Sequence, residues 1–393
     1  MASRQFLLRS LLLFLVLAGS GPGGELRSQE TGGEIARAFR EAKGPRILRE
    51  YAELLSIPNV ASDSVGIWRN AEFIRTALQD RGVEAGLLTL PGANPIVFGE
   101  VRVPGATRTL GLYVHYDGQP ADPSRWTHEP WTPTLYSRSM EAGGHAISFP
   151  DDGEPVDPEW RIYARSAGDD KTPIGAMLPV LEAFQEEGIT PTSNLVFFFE
   201  GEEEAGSTNL GRYLDEYSHL IRDIDVWLLF DGPVHQSGRP LLAFGVRGVT
   251  GMEVTVYGPL RPLHSGHYGN WAPVPGQMLA HLLASMKDQE GNVLVEGFYD
   301  TVEPLSALEE EALKRLPSYD QELKAELGLA RTEGEGESLA RRLMLPSLTI
   351  RGLSSGNTGA LARNVIPATA TAALGIRLVK GNDPTHMQDL LEA

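Results

Sequence analysis

The run "LVFFFEGEEEAGS" (Leu195–Ser207) places four carboxylates, Glu200, Glu202, Glu203 and Glu204, within five positions at the end of an apolar stretch. Adjacent like charges disfavour one another's ionised form, so this cluster is either a solvated turn or a place where a cation sits. Two further apolar runs end in potential ligands: "GLYVHYD" in His115 and Asp117, and "VWLLFD" in Asp231. Asp169 of "AGDDK" lies between a loop and the first turn of a predicted helix. One imidazole with several carboxylates suits zinc, or another borderline or hard divalent ion such as manganese or cobalt. Asp169 could bridge two such ions roughly 3.5–4 Å apart, the separation in two-metal hydrolytic sites. Taken singly, His-X-Asp is a local hydrogen bond, "EGEEE" a solvated turn and "GDDK" ordinary surface. Their joint occurrence, in order, at the ends of successive strands is what points to a site.

These side chains are far apart in sequence, so the fold must bring them together. A helix is predicted from Pro45 to the "SIPNV" stop, where Pro58 cannot continue it, and a second over "GIWRNAEFIRTALQDRGVEA". Strands are predicted at "AGLLTL", "PIVFGEV" and "TLGLYVHYD", a helix from Pro173 to Glu187, and strands at "NLVFFFEG" and "DVWLLFDG". Gln119–Glu159 between them is rich in Pro, Gly and Asp. Strands alternating with helices, with continuous apolar runs, predict an α/β domain over residues 34–242: a mixed, mostly parallel sheet covered by helices on both faces. Open α/β sheets place ligands at the carboxyl ends of their strands, where these residues fall. From about Leu241 the pattern alternates ("LLAFGVRGVTGMEVTVYG"). A helix-compatible segment from Pro275, an acidic helical stretch and the strands "SLTIRGL" and "ATATAALGIRLV" follow, so 243–380 read as a smaller α+β domain.

Composition narrows the chemistry. The 393 residues carry a net charge of -18, which repels a nucleic-acid backbone, so no nucleic-acid partner is expected. There is no cysteine, hence no disulfide and no thiolate, and any metal must be held by oxygen and nitrogen. At the start, Arg4 and Arg9, the apolar run Leu11–Leu17 and the small residues Ala18–Ser20 have the order of a signal peptide over residues 1–20. A linker at 21–33 follows, and the expected location is secreted or periplasmic.

Together, "HYDGQP", "RSAGDDKTP", "FFEGEEEAGS", "FDGP", "LHSGHYG" and "NVIPATATAALGIRLV" resemble the co-catalytic zinc exopeptidase family of carnosinase-like dipeptidases, carboxypeptidase G, acetylornithine deacetylase and aminoacylase. The resemblance implies two divalent metal ions, zinc foremost, with His115 and Asp231 on one, Glu204 on the other and Asp169 as the bridge. It implies that Glu203 is the general base for a metal-bound water and that Asp117 orients His115. A cis peptide after Asp169 is also implied. In the second domain, a lid and dimerisation domain in this family, His264 would stabilise the oxyanion in the partner subunit and Arg377 would hold the substrate carboxylate. From the residues alone, His264 could equally cap a turn, and Arg377 pair with an acidic surface. The expected partners are a small peptide or N-acyl amino acid substrate and a second copy of the chain. The family also supplies a further histidine ligand after the lid. Here residues 381–393 read as the start of the return and "HMQDLLEA" ends the sequence; His386 falls too early and His235 is a remote substitute. The reading from sequence is thus a metal-dependent hydrolase of a peptide or amide bond, with a truncated, inactive remnant that binds peptide or one metal as the alternative. Carbohydrate chemistry on the carboxylates alone leaves His115 unexplained.

Overall fold

A computed structural model describes residues 31–232, 241–334 and 336–393. The signal-peptide segment 1–20 and His235 lie outside them. The chain forms two compact units, one up to Gly232 and one from Pro233.

The first unit opens with helix α1 (Gly32–Leu55), which starts earlier than expected. Thr31 and Glu34 form a capping box, so the last residues of the predicted linker cap and begin a helix, and Pro45 lies inside it. Helix α2 (Ser64–Gln79) is capped by the Asp63 side chain, which accepts from the Gly66 N–H at 3.1 Å. Strands β1 (Glu84–Leu88), β2 (Ile96–Val101) and β3 (Thr109–His115) follow. The Pro/Gly-rich stretch then holds three short strands, β4 (Thr134–Tyr136), β5 (Ala146–Ile147) and β6 (Arg161–Tyr163), which make a small antiparallel sheet. Helix α3 (Lys171–Glu186), strand β7 (Asn194–Glu200), the short helices α4 (Leu210–Glu216) and α5 (Ser218–Ile221), and strand β8 (Val226–Leu229) complete the unit.

The main sheet is mixed, in the order β1-β2-β7-β3-β8. Both pairings of β3, with β7 and with β8, are parallel, while β1 and β2 join antiparallel. The run of phenylalanines is explained by burial on both faces. Phe197 and Phe199 pack with Ile67, Ile74, Ile174 and Leu178 beneath α2 and α3. Val196 and Phe198 face the other way, against Tyr213 of α4 and the residues around α5.

In the second unit, β9 (Gly248–Tyr257) begins seven residues later than the apolar pattern suggests. A two-residue strand β10 (Leu263–His264), helices α6 (Ser265–Tyr268), α7 (Pro275–Met286), α8 (Ala307–Arg315), α9 (Asp320–Glu326) and α10 (Leu339–Arg342), then strands β11 (Ser347–Ser354), β12 (Val365–Ile366) and β13 (Thr369–Leu378), and helix α11 (Pro384–Glu392) follow. An antiparallel sheet β11-β13-β9 packs one face on Leu279 and Leu283 of α7 and Met387 of α11. No helix among the described residues is long and apolar enough to cross a membrane.

Candidate metal centre

His115 is the last residue of β3 and is 1% exposed. In the parallel register it stands beside Glu200 at the end of β7, and β8 leads directly towards Asp231, so three parallel strands deliver their carboxyl ends to one place. Its ring Nε2 faces Asp169 Oδ1 at 3.0 Å, Asp231 Oδ1 at 3.9 Å and Glu203 Oε2 at 4.0 Å. On the other side Nδ1 lies 3.4 Å from Asp117 Oδ1 and 3.3 Å from the Asp117 carbonyl.

Asp117 is fully buried. Besides the imidazole, its two oxygens accept from consecutive backbone amides, Oδ1 from Glu203 N–H at 3.1 Å and Oδ2 from Glu204 N–H at 3.0 Å. The turn after β7 is thereby tied to the histidine at the end of β3. Glu204 turns its carboxylate to Gln119, whose Nε2 donates to Oε2 at 2.6 Å, and it makes no contact with the His115 ring among those described. Glu200 and Glu202 do not join the cluster. Glu200 is buried and accepts from the Tyr113 hydroxyl at 2.6 Å, while Glu202 binds Asn94 and Asn209.

The sequence reading passes over Asp170. Ligand atoms of His115, Asp170 and Asp231 all lie within 4.8 Å of one another, and Asp170 Oδ2 also accepts from the His115 backbone N–H at 3.3 Å. Asp169 and Asp170 are joined by a cis peptide bond. Adjacent aspartates look alike in a sequence; only the backbone geometry between them tells which faces inward. The two second-unit residues are placed differently. His264 is exposed and caps α6, its Nδ1 accepting from Gly266 N–H at 3.1 Å, with its ring 4.7 Å from that of His267. Arg377 is exposed on β13 opposite Ser347 and Val249 and forms no ion pair among the described residues. His386 is exposed on α11.

The electrostatics of the cluster suit a cation. Burial pushes Asp170 up to about 8, with the attraction of His115 opposing it. Burial also raises Glu203, again against the pull of His115 and with Asp231 and Glu204 adding repulsion. Burial would lower His115, but Asp117, Asp170 and Asp231 outweigh it and hold the imidazole up at about 10. One imidazolium is thus asked to balance several carboxylates, an arrangement a divalent ion satisfies better. Imidazole nitrogen with carboxylate oxygen, and no thiolate, is a donor set for zinc or a harder ion, so the residues present fit such a group.

A buried histidine ringed by carboxylates at the rim of a mixed α/β sheet is the arrangement of a metal-dependent enzyme, and the family profiles make its class that of a metallopeptidase. The Peptidase family M20/M25/M40 profile matches residues 111–265 and a Peptidase dimerisation domain profile matches 244–393. The chain belongs to this M20 peptidase family and is an enzyme of the hydrolase class. It is similar to the Cys-Gly metallodipeptidase DUG1 of Candida albicans, 28% identical over 88% of this chain and 71% of the relative. It is also similar to the Beta-Ala-His dipeptidase of Homo sapiens, 28% identical over 85% of this chain and 61% of that protein. Among solved structures, the M20 metallo-carboxypeptidase Sso-CP2 from Sulfolobus solfataricus has a TM-score of 0.68 at 28% identity, covering 88% of this chain and 74% of that one.

These relatives correct the expected location. The Cys-Gly metallodipeptidases of Candida albicans, Schizosaccharomyces pombe and Saccharomyces cerevisiae are cytosolic enzymes, against the reading as secreted or periplasmic. A short basic-apolar-small run is a compositional pattern, and the segment that carries it lies outside the described residues.

Proposed function

We propose that this chain is a dipeptidase or closely related amidohydrolase, cleaving a peptide or amide bond in a small substrate with a free carboxylate. The observation that carries this reading is the convergence of His115, Asp169, Asp170, Asp231 and Glu203 at the ends of parallel strands, in a chain whose relatives are named as dipeptidases. His115, Asp169, Glu204 and Asp231 would hold two divalent ions, zinc foremost with manganese or cobalt as substitutes, and Asp170 stands beside His115 and Asp231. Bound there, such ions lower the pKa of water and polarise a carbonyl. Asp117 fixes the ring of His115 so that Nε2 faces the cluster, as carboxylates do for ligand histidines. Glu203 takes the proton of the attacking water and returns it to the leaving nitrogen, and its raised pKa brings it closer to the working range of a general base. Arg377 holds the substrate carboxylate through its planar fork, and His264 donates to the oxyanion in the active site of the partner subunit. The second unit forms a homodimer.

One observation favours a second reading. Among the described residues a single group of three donors converges, His115, Asp170 and Asp231, which suits one metal ion in place of two. Metal analysis of the purified chain, with hydrolysis of Cys-Gly and β-Ala-His, separates the two. About two ions per chain with turnover supports the hydrolase; one ion without turnover supports the second reading. His115→Ala lowers metal occupancy, and unchanged occupancy would remove His115 from the ligand set.

A further inference from the structure

A sizeable cavity lies away from the metal cluster. It encloses about 780 Å³ and is lined wholly by the second unit, between the sheet end at Ser347 and the helices α9 and α10. That volume is in the range of small-molecule sites. Part of its lining is apolar, with Val293 and Leu348 buried and Leu323 beside the cavity.

The charge on its walls runs against that of the protein. In a chain of net charge -18, the lining has five cations against three carboxylates. Lys287 pairs with Glu333 at 2.8 Å and Arg342 with Glu337 at 3.3 Å. Arg247, Lys324 and Arg331 form no ion pair among the described residues. Arg247 is the most constrained of these. One terminal nitrogen, Nη2, donates to Leu345 O at 3.1 Å and Ser347 Oγ at 2.9 Å, while its Nε is buried without a hydrogen-bond partner. Burial, then the like charge of Arg377, both disfavour its cation. A half-buried guanidinium whose Nε has no partner, beside the apolar side chains Val293, Leu323 and Leu348, is suited to an anion.

We propose that this cavity is a second ligand site, taking an organic anion with an apolar body and one carboxylate: the carboxylate meets Arg247, with Lys324 and Arg331 at the rim, and the body lies over Val293, Leu323 and Leu348. An aliphatic acid and a free apolar amino acid share this chemistry. The site is distinct from the catalytic reading, because none of the residues lining it is among those assigned to metal, substrate or proton transfer.

The test is calorimetric titration of the full-length protein with octanoate, octylammonium and leucine at matched ionic strength. Octanoate binds saturably at one per chain and octylammonium does not. Arg247→Ala weakens octanoate at least about tenfold, as loss of a charge-assisted bond does. Because Arg247 also holds Leu345 and Ser347, the double variant Lys324→Glu, Arg331→Glu is the companion: it weakens octanoate similarly while its melting temperature stays at the wild-type value. Leucine binding that depends on the same residues makes an amino acid the natural source, and binding of octanoate alone makes it an aliphatic acid. Absence of octanoate binding, equal binding of octylammonium, or full octanoate affinity in the rim variant overturns the proposal.

Discussion

Asp117→Asn is the sharpest probe of how the cluster is held. The change is isosteric but replaces one acceptor oxygen by a donor. In the wild type both oxygens face N–H groups, Glu203 at 3.1 Å and Glu204 at 3.0 Å, and the imidazole Nδ1 lies 3.4 Å from Oδ1. Whichever way the amide turns, its NH2 opposes a backbone N–H, and a fully buried donor left without an acceptor costs about 1–3 kcal/mol. The loss of negative charge also frees the ring of His115 to change tautomer or rotate, and removal of such a supporting carboxylate typically costs 10–100-fold in metal affinity, roughly 1.4–2.7 kcal/mol. Competition for zinc against a chelator reads the second quantity, and thermal unfolding of the metal-free protein reads the first. Zinc affinity within about threefold of wild type in a normally folded variant would refute the idea that Asp117 sets the orientation of His115.

Three further outcomes are expected. Glu203→Gln abolishes turnover by at least about 10²-fold while metal occupancy is retained; loss of metal instead would make Glu203 a ligand. Tyr213→Phe removes the hydroxyl that accepts from Leu90 N–H at 3.1 Å and donates to Asn94 O at 2.9 Å, costing roughly 1–3 kcal/mol at neutral pH. Burial pushes that phenol up to about 12, so its stabilisation is complete below the ordinary value of about 10 and is lost as pH rises through 12; chemical denaturation should show the variant with a shallower alkaline decline than wild type. Gly175→Ala, which in an exposed helix would stabilise by about 0.5–1 kcal/mol, is expected to destabilise α3. An added Cβ would lie 2.6 Å from the Tyr51 ring, and that ring is held by its hydroxyl at Ala167 O and Thr172 Oγ1; a raised melting temperature would contradict this.

The strands that carry the cluster were legible because buried parallel strands leave a distinctive trace: unbroken apolar runs that stop abruptly at a polar residue, as at His115, Glu200 and Asp231. The convergence of those ends follows from topology, which the order of elements implies. Other features left weaker traces. The three short strands β4 to β6 have two or three residues each, too few for a period to show. The first turns of α1 were masked by Gly32 and Gly33, although Thr31 and Glu34 have the spacing of a capping box. Asp170 and Gln119 were invisible for a different reason, since their roles depend on a backbone bend and on a loop approaching from elsewhere in the chain.

Each side chain assigned here to metal or to proton transfer comes from the portion of the chain up to Gly232, where its own strands and loops position it. The downstream portion, with its exposed arginine on β13 and its basic cavity, is built on a separate core. A lineage of such proteins can therefore rewrite what it recognises by drift in one half of its gene, while the bond-breaking half passes unchanged from ancestor to descendant.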